Sequence, residues 1–231
     1  AYNREHFGES FQQDESYYVV KTAGSKTYLG LQDDCDVEEF YRCIDRAEKK
    51  HISFDYDRYV NSFPSEQGDQ YLIPGGTIHA SGRNQVVLEI GSYTIGSYTF
   101  KLYDYLRSDL DGNPRPIHSI HGKNVLVTDR RRSRIDGVLR PKPVTVRQGD
   151  SWKEEIVGEH ELIYFSLRRL SFEHDISDNT DGKFHVLVLV EGDEVLICSK
   201  SDPTLCYHQK HMDMIVVPAS MGEYEIINLG K

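Results

Sequence analysis

The 231-residue chain predicts a mainly β protein built as two packed β-barrels, with one short helix inserted in the first. Three observations carry that fold class. Short runs rich in Val, Ile, Tyr and Phe recur between Gly, Pro and Asp turns, and the chain holds 15 tyrosines and nine phenylalanines. Only residues 36–50 have a clear helical signature. The half 184–229 also echoes 15–90: strand, turn, strand, then an apolar strand that ends in proline.

Residues 1–12 are polar and read as loop. Glu15 leads into the strand Ser16-Tyr17-Tyr18-Val19-Val20; after the turn Ala23-Gly24-Ser25, Lys26–Leu31 alternates as a returning strand, so 15–31 predicts a hairpin. Asp36-Val37-Glu38-Glu39 is a capping box, in which Asp36 accepts from the first-turn amides and Glu39 can reach back. Val37, Phe40, Tyr41, Ile44 and Ala47 follow at helical spacing, and Lys49 and Lys50 suit the negative end of the helix dipole.

Gly68–His79 reads as strand, tight Pro74-Gly75-Gly76 turn and short second strand. Proline cannot continue a ladder, and the glycines admit positive φ, so the turn presents His79 at a fixed place. Asn84–Ile90 is a further strand. Tyr98–Tyr103 reads as another, with Lys101 and Tyr103 on one face and Phe100 and Leu102 on the other. Asp111-Gly112-Asn113-Pro114 is a turn. His118 and His121 stand at i, i+3, but Pro116 and the β-branched neighbours argue against a helix there and against a shared metal.

The first barrel is assigned to 1–126 and the second to 148–231. Between them, 127–147 holds seven basic residues (Arg130, Arg131, Arg132, Arg134, Arg140, Lys142, Arg147) and two acidic ones (Asp129, Asp136). With Pro141 and Pro143 it reads as a stiffened, solvated basic linker, with docking onto an acidic surface as the other use of such a run. In the second half, strands are expected within 161–172, 184–190, 194–198, 214–218 and 224–227. Glu223 stands where the first half has His79, so the repeat has lost that histidine.

Net charge is −10, which argues against a sequence-independent nucleic-acid binder. No apolar run approaches the ~18 residues that span a bilayer. Cys35, Cys43, Cys198 and Cys206 form two pairs, each eight apart, without Cys-x-x-Cys spacing. Reduced thiols in a cytoplasmic protein are the expectation. The chain opens abruptly at Ala1, and a preceding segment is expected.

Gly68, Pro74, Gly76 and His79 match, without a gap, the second motif of the cupin β-barrels. Asp14–Val19, Tyr28-Leu29-Gly30, the 36–50 helix, the Pro74–His79 turn, Val86–Ile90 and Lys101–Tyr105 then occur in order. Together they resemble the type I mannose-6-phosphate isomerases, over nearly the whole chain. The resemblance implies a cupin fold and a zinc-dependent aldose–ketose isomerase that interconverts mannose 6-phosphate and fructose 6-phosphate. It implies Zn²⁺ held by Glu15 and His79, with two further ligands on a Gln-x-His-Pro segment that these residues do not contain. His6 lies near but does not match a ligand position. Lys101 takes the place of an arginine tied to catalysis or phosphate binding, keeping the charge but losing the bidentate fork. Lys101 is therefore the catalytic candidate, and Lys101 and Arg107 are the substrate-binding candidates. Gln13 departs from a lysine usual in the family. The implied partner is a sugar phosphate, with no nucleic acid or membrane, and a homodimer is compatible with the reading. Gln13 and Lys101 favour the main alternative, a non-catalytic sugar- or sugar-phosphate-binding cupin with a regulatory role. A structural module of a larger polypeptide is the third reading.

Overall fold

The computed structural model describes residues 1–92 and 99–230. The chain divides into two compact units, 1–142 with 158–166 and 143–157 with 167–231. The mainly β class is as expected from the sequence.

The first unit carries two three-stranded antiparallel sheets. In one, β1 (Glu15–Thr22) lies between β4 (Gln70–Ile73) and β6 (Gln85–Gly91). In the other, β2 (Lys26–Leu31) lies between β3 (Val60–Pro64) and β5 (His79–Ser81). This corrects the hairpin expected over 15–31: β1 and β2 belong to different sheets, and the 23–25 turn carries the chain from one to the other. The reason lies in their burial. Tyr17, Val19 and Val20 of β1 and Tyr28, Leu29 and Leu31 of β2 are all buried, so neither strand has a free polar face to leave in water as a two-stranded hairpin would.

Helix α2 (Val37–Lys50) is the helix read from the sequence. The Asp36 side chain accepts from the Glu39 amide at 3.0 Å, while the Glu39 carboxylate pairs outward with Arg58. Phe40 and Ile44 are almost fully buried in a cluster with Tyr28, Leu31, Tyr59 and Val60, each contributing ~2 kcal/mol by burial.

Three further helices depart from the sequence reading. Residues 2–7 form α1 (Tyr2–Phe7) rather than loop, closed by Gly8 at φ 70°. Residues 119–125 form α3 (Ser119–Val125), against expectation: Pro116 precedes the helix and so does not interrupt it. Helix α4 (Arg132–Ile135) lies within the basic run. Residues 127–142 are thus part of the first unit, not a solvated linker. Ile135 and Leu139 are buried, and Arg131 hydrogen-bonds the carbonyls of Gln32, Asp33 and Cys35. The charge in this run serves unpaired backbone acceptors, which composition alone does not reveal.

The strand expected over 98–103 is not formed at 99–103, which is irregular; Tyr98 lies outside the described residues.

In the second unit, β7 (Val144–Gln148), β8 (Trp152–Gly158) and β9 (Leu167–Phe172) make one sheet. The strands β10 (Asp175–Asn179), β15 (Glu223–Asn228), β12 (Glu194–Ser199) and β13 (Cys206–Lys210) make a second, in that order. A ribbon pairs β11 (His185–Val188) with β14 (Met214–Val217). Ile176, Val195, Ile197, Val217, Tyr224 and Ile226 form the core. Cys198 and Cys206 are direct cross-strand partners with Cα atoms 4.2 Å apart and are disulfide-bonded. This corrects the expectation of four reduced thiols, because antiparallel register brings that pair face to face. Cys35 and Cys43 are free and buried.

Candidate metal and substrate site

The Pro74-Gly75-Gly76 turn leaves β4 and enters β5 at His79. Gly76 has φ 82°, and a Cβ there would meet the Val125 carbonyl at 2.6 Å, so glycine is required twice over. The Thr77 amide donates to the Pro74 carbonyl at 3.1 Å and closes the turn. The Thr77 carbonyl lies 2.8 Å from His79 Nδ1. A carbonyl only accepts, so Nδ1 carries a proton and Nε2 is the nitrogen directed onward. Nε2 lies 3.0 Å from the Glu15 carboxylate at the start of β1. The other Glu15 oxygen accepts from Gln13 Nε2 at 2.7 Å.

Burial opposes an imidazolium at His79, but the Glu15 hydrogen bond, the Thr77 carbonyl and the charges of Glu15 and Glu89 outweigh it and raise the His79 pKa. Glu89 is opposite Tyr17 in the β1–β6 ladder, on the same face as Glu15. Partial burial and the Glu15 charge hold its carboxyl above the usual range.

Glu15 and His79, but not Glu89, edge a cavity of about 250 Å³ in the first unit. Gln13, Glu15 and His79 line one part, and Phe54, Tyr56, Tyr103 and Tyr105 line another. The four rings touch one another; Phe54 and Tyr103 have centroids 4.9 Å apart, and Tyr56 and Tyr105 5.2 Å. Tyr105 and Leu106 both have positive φ, 54° and 56°, a conformation uncommon outside glycine. Lys101 lines the same cavity, with Nζ 3.3 Å from Asp104. Asp104 is 4% exposed and also pairs with Arg107 and Arg115. Burial raises its pKa, but hydrogen bonds from Arg107 and Lys101 overcome that and hold the carboxyl below its ordinary value.

Of the residues singled out from sequence, Glu15, His79 and Lys101 thus come to one cavity. Arg107 shares the Asp104 carboxylate with Lys101 but is not among the lining residues. His6 Nδ1 lies 3.1 Å from the Tyr2 carbonyl and is not among the lining residues either. His118 Nδ1 accepts from the Lys101 amide, while His121 Nδ1 meets the Tyr2 hydroxyl, so the two do not converge on one point. Among the described residues no group of three or more His, Cys, Asp or Glu stands together as a metal site, so Glu15 and His79 are a pair of donors.

No family model matches the chain. The mannose-6-phosphate isomerase ManA of Bacillus subtilis is 23% identical over 212 residues, which are 92% of this chain and 60% of ManA. The mannose-6-phosphate isomerase of Streptococcus mutans is 28% identical over 126 residues, 54% of this chain and 37% of that one. The crystal structure of the mannose 6-phosphate isomerase from B. subtilis superposes with TM-score 0.77 at 21% identity, over 98% of this chain and 65% of that structure. In sequence and in fold, the chain is similar to mannose-6-phosphate isomerases. The phosphomannose isomerase of Salmonella typhimurium, in a structure bound to substrate and zinc, superposes with TM-score 0.53 at 10% identity, over 94% of this chain and 64% of that one. The chain spans about half the length of the curated relatives it matches.

Sequence reasoning missed the aromatic wall of this site and Glu89 on the same sheet face as Glu15. Glu89 was legible only as a strand residue, because its place beside Glu15 depends on the β1–β6 register. The tyrosines at 103 and 105 sat in a predicted strand, whereas the backbone there is irregular and turns both rings to the cavity.

Proposed function

We propose that the chain carries the chemistry of a zinc-dependent aldose–ketose isomerase interconverting mannose 6-phosphate and fructose 6-phosphate. One observation carries the reading: the Glu15 carboxylate and His79 Nε2 converge at 3.0 Å on the edge of an aromatic-walled cavity that also holds Lys101. The named relatives support the reaction class, and the Salmonella structure supports zinc.

The donors present fit zinc. An imidazole nitrogen and a carboxylate oxygen are ordinary zinc ligands, and the Nδ1 contact to Thr77 is the outer bond that orients a ligating histidine. Glu15 and His79 would hold the ion from this chain; the family resemblance assigns the other ligands to a Gln-x-His-Pro segment outside these residues. When bound, zinc would supply a Lewis acid beside the sugar oxygens at C1 and C2.

The chain's own residues would do the rest. Gln13 fixes the Glu15 carboxylate. Phe54, Tyr56, Tyr103 and Tyr105 offer flat faces to the C–H side of a sugar and keep water from the reacting carbons. Lys101, backed by the cation-rich group on Asp104, would bind the phosphate. Three cations share one buried carboxylate there, so the group keeps positive charge for an anion. Glu89 stands outside the cavity lining, and its charge acts on His79 together with that of Glu15.

The alternative reading, a sugar-phosphate-binding cupin without turnover, is favoured by Lys101 being already tied to Asp104. A coupled assay of mannose 6-phosphate isomerisation with added zinc separates the two. Turnover that His79→Ala abolishes supports the isomerase; tight sugar-phosphate binding without turnover rejects it for the binding protein.

A further inference from the structure

We infer that Arg130 is a positioning residue for His79, acting through the Pro74–Thr77 turn from one side while Asp14 holds the same turn from the other. Arg130 Nη1 donates to the Pro74 carbonyl at 2.6 Å, to the Gly75 carbonyl at 2.8 Å and to the Thr77 hydroxyl. One guanidinium nitrogen thus gathers three acceptors, on Pro74, Gly75 and Thr77, of the turn that precedes His79. Opposite it, Asp14 Oδ1 accepts from the Gly75 amide at 2.8 Å and from Gln12 Nε2 at 2.7 Å. Asp14 is fully buried, and its chain neighbour is Glu15. The Asp14–Gly75 bond therefore ties the residue beside one proposed ligand to the turn that carries the other.

The backbone at Arg130 is fixed as firmly as its side chain. Its carbonyl accepts from the Leu31 amide at 2.9 Å, and the Val127 amide donates to the Gly76 carbonyl at 2.9 Å. A Cβ at Gly30 would stand 2.6 Å from the Arg130 carbonyl, so the basic run presses directly on β2. The bonds to Pro74, Gly75, Gly76 and the Thr77 hydroxyl hold the turn that carries the Thr77 carbonyl, and that carbonyl is the partner of His79 Nδ1. Ring orientation and the direction of Nε2 follow from it. Lysine at 130 would reach the turn as a point donor without the planar fork.

This role for Arg130 builds on the reading of His79 as a ligand, but its test does not depend on that reading. The downfield proton resonance of the His79 Nδ1–H, identified as the signal missing from His79→Gln, is recorded in the zinc-free full chain for wild type, Arg130→Met and Arg130→Lys. The expected result is loss of the resonance, or a move of about 1 ppm or more, in Arg130→Met, with Arg130→Lys intermediate. A wild-type chain without that resonance, or an unchanged one in folded Arg130→Met, overturns the role whatever the metal does. If Arg130→Met does not fold, the same comparison on Arg130→Lys decides. Zinc affinity, measured by competition with a chromophoric chelator, is expected to fall about 10–100-fold in Arg130→Met, the usual cost of removing an outer partner of a ligand. A wild type that binds no zinc rejects the ligand reading of His79 and leaves the resonance test of Arg130 standing.

Discussion

His79 Nε2 and the Glu15 carboxylate stand 3.0 Å apart although their strands belong to different sheets, β1 in one and β5 in the other. No ladder joins these two strands; the pairing is a product of the Pro74–Thr77 turn on one side and the end of β1 on the other. Removing either partner leaves a charged or polar group at a partly buried edge without its complement.

His79→Ala and Glu15→Gln should each lower mannose 6-phosphate turnover by at least about 100-fold, since both remove a proposed metal donor. Circular dichroism should show an unchanged fold, because neither side chain belongs to the apolar core. Steady-state kinetics with zinc in excess measures the loss.

Lys101→Met should raise KM for the phosphorylated sugar by about 10–100-fold, the worth of a charge-assisted hydrogen bond of ~1.5–3 kcal/mol. The unphosphorylated sugar should bind equally well to both proteins. Isothermal titration with each sugar distinguishes loss of a phosphate contact from damage to the cavity.

How much of this site was legible in sequence differs residue by residue. The Pro-Gly-Gly turn was legible because proline and glycine restrict the backbone locally, and His79 follows within three residues of it. The α2 helix was legible for the same reason, through Asp36 and the spacing of Phe40, Ile44 and Ala47. The hairpin error at 15–31 arose because a turn signal says that the chain reverses, not which sheet it joins next. In the sequence Arg130 is one charge in a basic run, since its three acceptors lie more than fifty residues away. The Cys198–Cys206 bond likewise depends on the β12–β13 register, which spacing alone does not give.

The second unit should lose stability in acid through Glu154. This buried carboxylate pairs with Arg147 and Arg168. Burial alone would raise its pKa, but those two hydrogen-bonded cations lower it from the ordinary value of 4.5. A depressed folded pKa means a contribution that is complete above about 4.5 and is lost as pH falls through the folded value. Thermal melts between pH 6 and 3 should therefore converge for wild type and Glu154→Gln at the acid end and separate above pH 5, with wild type the more stable.

Reduction should destabilise the same unit. The disulfide closes a loop of separation eight, worth ~2.5 kcal/mol in the chain-entropy treatment. Melts of the oxidised protein and of Cys198→Ser with Cys206→Ser should differ by several degrees in the transition of 143–157 with 167–231. Equal melts would show that the bond adds no stability there.

Diffraction from zinc-soaked crystals, recorded on both sides of the zinc absorption edge, locates the metal. An anomalous peak is expected about 2.0–2.2 Å from His79 Nε2 and from a Glu15 carboxylate oxygen. A zinc peak bound elsewhere, or no peak at that edge with the Glu15–His79 contact intact, would contradict that placement.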